Sequence, residues 1–248
     1  GETDDIFVTK TGVQLINKTS VTNQAKQLFA NLNIDINEDE TSQRAEFSSR
    51  LTYLSFKDEM SSSADFNDNM VHKFQHLSVY NDEYITFLIA GCSVETELEF
   101  IAHNEAKVAR LTSSKTRAQD YPLYKLIKTE RTENVNAQKE LILESIKLKE
   151  KFRDQFHSDN EKEIFNVNTF GSKAVSFTIT MSLKDWHKTL IGRLSSHGVE
   201  YEMLGIMESI ANKLKAIYPR VINNVDEYYE MGNGKNIIKK SCHDEHVK

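Results

Sequence analysis

The densest chemistry in this sequence lies between Lys107 and Arg117, where four cations (Lys107, Arg110, Lys115, Arg117) share eleven residues with the hydroxyls of Thr112, Ser113, Ser114 and Thr116. Guanidinium forks and hydroxyls both donate to phosphate oxygens, and charge-assisted hydrogen bonds offset the cost of desolvating the anion. Helical spacing predicts Lys107 and Arg110 on one face, with the hydroxyls where that helix ends. The plainer alternative is a solvated basic patch. A second constellation runs Ser182-x-Lys184-x-x-x-Lys188-x-x-x-x-Arg193-x-x-x-His197. Polar groups where a strand hands over to a helix are well placed to hold a ligand, and equally could be a solvated first turn. His72 and His76 have the i, i+4 spacing that can chelate a metal from one helix face, but no third ligand lies near them in sequence. Cys242-His-Asp-Glu-His246 resembles a metal cluster in composition only, because it falls in a charged stretch without a core. There is no phosphate-binding Gly-rich loop and no Ser or Cys nucleophile motif.

The elements that must position these groups follow from composition. The 248 residues carry 31 Lys and Arg against 37 Asp and Glu, a net charge of −6, which argues against a general nucleic-acid coat and leaves room for a local basic site. No apolar run approaches the roughly 18 residues of a membrane span, and the polar opening does not read as a signal peptide. Two cysteines cannot make a disulfide framework, so a cytoplasmic setting is expected. Nine Gly and two Pro fall well below the ~17 and ~12 of average usage, which predicts long, mostly helical elements.

Residues 6–16 read as a short hairpin or strand pair broken at Thr11-Gly12, and Val21 to Leu32 as a helix, followed by an acidic loop over 33–44. A further helix passes through Phe47, Leu51, Leu54 and Phe56, and Asp65 could cap another running to His76. Tyr84 to Ala90 is an apolar buried strand that stops at Gly91, after which Ser93 caps a helix reaching about Arg110. Residues 123–158 form the longest helical stretch, with Leu141, Ser145, Leu148, Phe152 and Phe156 on one face. Lys139, Glu140, Lys147, Glu150 and Arg153 make its solvated face. Lys173 to Ser182 is the clearest strand, with Val175, Phe177, Ile179 and Met181 alternating against small polar residues. A helix with Trp186 and Leu190 follows, then another from about Val199 to Tyr218, ended by Pro219. The pattern is α+β, with helices packed on a small, mostly antiparallel sheet, and predicts one domain over residues 1–230 with a flexible tail over 231–248.

At this point the sequence resembles the flavin-dependent thymidylate synthases. That family carries a strand, Asn-x-Arg, then Leu-Arg-x-x-x-His-Ala-Gln-x-Glu-Ile, a helix and a Pro. Here Ser182-Leu-Lys184 is followed by Gly192-Arg193-Leu-Ser-Ser-His197-Gly, then Glu202-Met and a helix to Pro219, with one residue inserted between His197 and Glu202. Upstream, the family's His-x-Ser-x-x-Glu-His-x-x-Phe-Thr-Phe is similar to the stretch from His76 through Ser78 and Asp82 to Phe87. The signature Arg-His-Arg-x-x-Ser falls on Val108-Ala-Arg110-Leu-Thr-Ser113. Its first Arg and its His are thus Val108 and Ala109, the flavin-side His of the upstream block is Asp82, and another register would bring His103 into the signature. The resemblance covers roughly residues 70–220, with all three blocks in order.

The resemblance implies a single domain of the thymidylate synthase complementing protein type, assembled as a homotetramer with FAD in sites shared between subunits. It implies methylation of deoxyuridylate with methylenetetrahydrofolate as carbon donor and NADPH as reductant. Arg193 then matches the Arg that grips the nucleotide, while Arg110, Ser113, Ser114 and Lys115 match the segment that holds its phosphate. Ser78, Lys184, Lys188, His197 and His103 fall on the cofactor side. A hydroxymethyl transfer to the same nucleotide, or a non-catalytic nucleotide-binding relative without flavin, fits the altered signature as well.

Overall fold

The computed structural model describes residues 6–56, 62–102, 106–110, 123–127, 134–153, 155, 172–196 and 199–230. Its centre is a pair of antiparallel strands, β3 (Tyr84–Ser93) and β6 (Ala174–Ser182), flanked by β2 (Gly12–Lys18) and β4 (Lys107–Arg110) in a four-stranded antiparallel sheet ordered β2-β3-β6-β4. Both central strands are rich in β-branched and aromatic residues, which suit a pleated, buried surface. Ile85 stands opposite Met181, Phe87 opposite Ile179 and Ile89 opposite Phe177, so six apolar side chains form one continuous face. The register is thereby fixed, since a slip of one residue would turn all six to the other side.

The sequence predicts that β3 stops at Gly91, and the structure corrects this. The strand continues to Ser93 through a bulge between Ala90 and Cys92. Gly91 has φ +73°, and a Cβ there would lie 2.9 Å from Val8 Cγ1, so the glycine bends the strand instead of ending it. The predicted strand pair over 6–16 is also not a hairpin. β1 (Phe7–Val8) pairs in parallel with β5 (Tyr124–Lys125), while β2 pairs with β3.

Helices cover the apolar face. They are α4 (Val94–Ile101), α6 (Leu183–Leu194), α7 (Tyr201–Ile217) and α8 (Val225–Glu230), numbered after α1 (Asn23–Asn31), α2 (Glu40–Tyr53), α3 (Ser63–Asp68) and α5 (Val135–Arg153). Trp186 of α6 is fully buried, meets Phe87 edge to face at 5.4 Å and donates its indole N–H to the Ile85 carbonyl at 3.2 Å. Phe100 of α4 lies 5.5 Å from Phe177. Each fully buried side chain of this kind contributes roughly 1.5–3 kcal/mol, so this one layer contact dominates the fold. Beneath the start of α6, Glu83 is buried between the Arg44 guanidinium, with which it forms an ion pair, and the Tyr218 hydroxyl, which donates to it at 2.7 Å.

Three helical expectations need correction. α4 ends at Ile101, and residues 107–110 are a strand paired with β6, so Lys107 and Arg110 do not share a helix face. α3 is capped by Ser62 rather than Asp65 and ends at Asp68. A π-helical turn over Asn69–Lys73 follows, leaving His76 beyond it, so the two histidines are not one helical turn apart on one helix. α5 spans only 135–153, and its stripe of Leu141, Leu148 and Phe152 is solvent-exposed; Ile142 and Ser145 are the buried positions. Leu51 and Leu54 are likewise exposed, Leu54 sitting at φ +49° as the left-handed residue that ends α2. The mixed α+β class itself is as the sequence indicated. Among the described residues no helix is long and apolar enough to cross a membrane.

Candidate functional site

The strand-to-helix step at Ser182 is built as its sequence suggests. The Ser182 hydroxyl accepts from the Asp185 backbone N–H at 3.1 Å and donates to the Asp185 carboxylate at 2.6 Å, starting α6 directly at the end of β6. Leu183, Trp186, Leu190 and Leu194 turn into the core. That orientation decides where the cations go. Lys184 and Lys188 lie one turn apart on one flank of α6, Lys184 half-buried and Lys188 exposed. Arg193 comes five and nine residues later, about half a turn round the helix from them at 3.6 residues per turn. The three cations therefore flank opposite sides of α6 and do not make one positive field.

On its own side, the Arg193 guanidinium lies 3.3 Å from a carboxylate oxygen of Glu99 on α4, both side chains being 27% exposed. Proximity in sequence would pair Arg193 with Glu200 or Glu202; the ion pair it forms here is with Glu99. Burial raises the Glu99 carboxyl above its ordinary value, Arg193 opposes the rise, and Glu200, Glu202 and Glu95 add to it.

Glu202 is committed elsewhere. From the first turn of α7 it accepts the Ser93 backbone N–H at 3.1 Å and the hydroxyls of Thr96 at 2.9 Å and Thr11 at 3.3 Å. Lys125 of β5 approaches it to 3.6 Å and donates to the Thr11 hydroxyl at 2.7 Å and the Thr9 carbonyl at 3.2 Å. Both charged side chains are only 4% exposed, and burial lowers the Lys125 ammonium while Glu202 pulls it back up. Since the Ser93 hydroxyl also caps α4 through the Thr96 N–H at 3.2 Å, one carboxylate ties α7 to the start of α4 and to β5. Cys92, beside this network, has its thiol pushed up to about 12 by burial and by Glu202 and Glu97, so it is no nucleophile at neutral pH.

Ser78 is exposed on the 3₁₀ turn Leu77–Tyr80, which packs beside α6. Arg110 closes β4, its backbone paired with Phe177. His103, Ser113, Ser114, Lys115 and His197 lie outside the described residues, as do Cys242 and the 231–248 tail. Lys184 and Lys188 thus offer two ammonium groups one turn apart on α6, the helix that the Leu77–Tyr80 turn packs beside. Sequence reasoning missed Glu99, Lys125 and Thr11. Glu99 reads as a surface position of an amphipathic helix, and the partners of Glu202 are 77 and 191 residues away, so no local spacing announces them. No protein-family model and no curated protein sequence matches the chain.

Proposed function

We propose that the protein transfers a one-carbon unit to deoxyuridylate to give thymidylate, with methylenetetrahydrofolate as donor and NADPH as reductant, as a divergent cytoplasmic flavin-dependent thymidylate synthase. The observation that carries the reading is the placement of Arg193: a part-exposed guanidinium at the end of a helix that starts directly from β6, after the strand and before the helix that ends at Pro219, as in the family's order. There it can grip the uracil or the phosphate of the nucleotide and stabilise charge developing on the ring. Arg110, Ser113, Ser114 and Lys115 supply cation and hydroxyl donors for the nucleotide phosphate. Ser78, Lys184 and Lys188, with His197 and His103, would hold FAD. The flavin supplies the electrons that bring the transferred carbon to the methyl level; the chain binds, orients and excludes water.

Arg193 and the two lysines diverge round α6, so a complete site draws donors from more than one subunit. The exposed stripe of Leu141, Leu148 and Phe152 is in keeping with a homotetramer. Light scattering with simultaneous absorbance on FAD-reconstituted protein checks both points. A tetramer carrying a flavin spectrum is expected, and a colourless monomer at micromolar concentration contradicts the shared-site reading. Hydroxymethyl transfer is the second reading, favoured by the altered signature around the flavin, while Val108 and Ala109 in place of the signature's Arg and His favour a nucleotide-binding relative without flavin.

A further inference from the structure

We infer that Glu99 is a built-in stand-in for the anionic nucleotide, holding Arg193 in the unliganded protein and giving it up when the substrate binds. The inference rests on the assignment of Arg193 to nucleotide binding and adds a residue that the assignment does not contain.

Three features carry it. The Arg193 guanidinium lies 3.3 Å from a Glu99 carboxylate oxygen, and both side chains remain 27% exposed, so an entering anion can reach the guanidinium. A part-exposed salt bridge of this kind contributes little to stability, so exchanging Glu99 for a nucleotide on the guanidinium costs the fold little. The carboxylate is nevertheless held in place. α4 is anchored at its first turn by Ser93, Thr96 and Glu202, and Glu99 sits one turn further along the same helix. The charged groups acting on Glu99 are Arg193 of α6, Glu95 of its own helix, and Glu200 and Glu202 at the start of α7. Three of these four are acidic, and burial adds to their effect, so the Glu99 carboxylate is charged at a cost. Once a nucleotide takes over the guanidinium, the carboxylate loses its one favourable neighbour among these four, so the two anions compete for Arg193. An acidic side chain thereby sets the affinity of a site built for an acid.

The test is deoxyuridylate binding by calorimetry to the parent and to Glu99→Gln, each as the purified full chain. The variant is expected to bind about three- to tenfold tighter, because the competing charge is gone and the shape is kept. Its advantage should shrink as pH falls, because the Glu99 carboxyl, raised above its ordinary value by burial, becomes protonated and so resembles Gln. Taking the ratio at each pH cancels the titration of the nucleotide's own phosphate. In an Arg193→Ala background the Glu99→Gln change should have no effect. Unchanged or weaker binding by Glu99→Gln, with parental binding intact, overturns the inference and leaves the nucleotide assignment standing. A Glu99→Gln protein that fails to fold gives the pair to the fold and also overturns it. If neither protein binds deoxyuridylate, the assignment itself falls, and the inference with it.

Discussion

Arg193→Lys is expected to lower turnover of deoxyuridylate by about 10²–10³-fold in a protein that melts at nearly the parental temperature. The rate figure is the scale on which loss of one preorganised donor at a developing negative charge acts. Lysine keeps a positive charge within reach of Glu99, so the half-exposed ion pair survives as a point contact. What it loses is the planar fork that can meet a uracil edge or a phosphate with two parallel hydrogen bonds. Arg193→Ala should behave similarly in activity and cost no more than about 1 kcal/mol in stability, because the pair is open to water. Parental turnover in Arg193→Lys, together with unfolding of Arg193→Ala, would make the residue structural and remove it from the site.

The largest effect on stability belongs to Glu202. Replacing it by Leu leaves the Lys125 ammonium buried without its counter-ion and takes the acceptor from the Ser93 N–H and the Thr96 hydroxyl. Breaking one side of a buried pair costs about 3–5 kcal/mol. For a chain of this length that corresponds to a melting midpoint lower by roughly 6–20 °C. Adding Lys125→Met should recover a large part of the loss, since a buried ion pair replaced by apolar side chains is often close to neutral. The recovery remains incomplete while Ser93 and Thr96 lack their acceptor. Differential scanning calorimetry of the four proteins of this cycle measures the coupling directly, and additive losses would show that Lys125 and Glu202 do not act as a pair.

The parts of this fold that could be read from the sequence are those set by neighbours along the chain. Ser93 and Ser182 announce their helices because a cap is a contact three residues long, and Pro219 closes off the end of α7 by removing a donor. The alternation of β6 is visible because one buried face imposes a period of two. Residues 107–110 carry no such mark. Their pairing with β6 brings together segments about 70 residues apart, and the local spacing of Lys107 and Arg110 suits a helix equally well. Gly91 misleads for a related reason, since its conformational freedom serves a bulge pressed against Val8 rather than a strand end. At the candidate site, Arg193 could be picked out by type and position, but its partner could not. Which of Glu99, Glu200 and Glu202 meets the guanidinium depends on how α4, α6 and α7 pack, and the network from Thr11 through Lys125 has already taken Glu202.

The central claim is that this chain methylates a pyrimidine nucleotide at a site containing Arg193. Its most direct test is to incubate FAD-loaded protein with deoxyuridylate, methylenetetrahydrofolate and NADPH and to weigh the product nucleotide by mass spectrometry. The account predicts thymidylate, heavier than the substrate by the replacement of one ring hydrogen with a methyl group, and its loss in Arg193→Lys. Deoxyuridylate recovered unchanged from protein that has bound both flavin and nucleotide would contradict it.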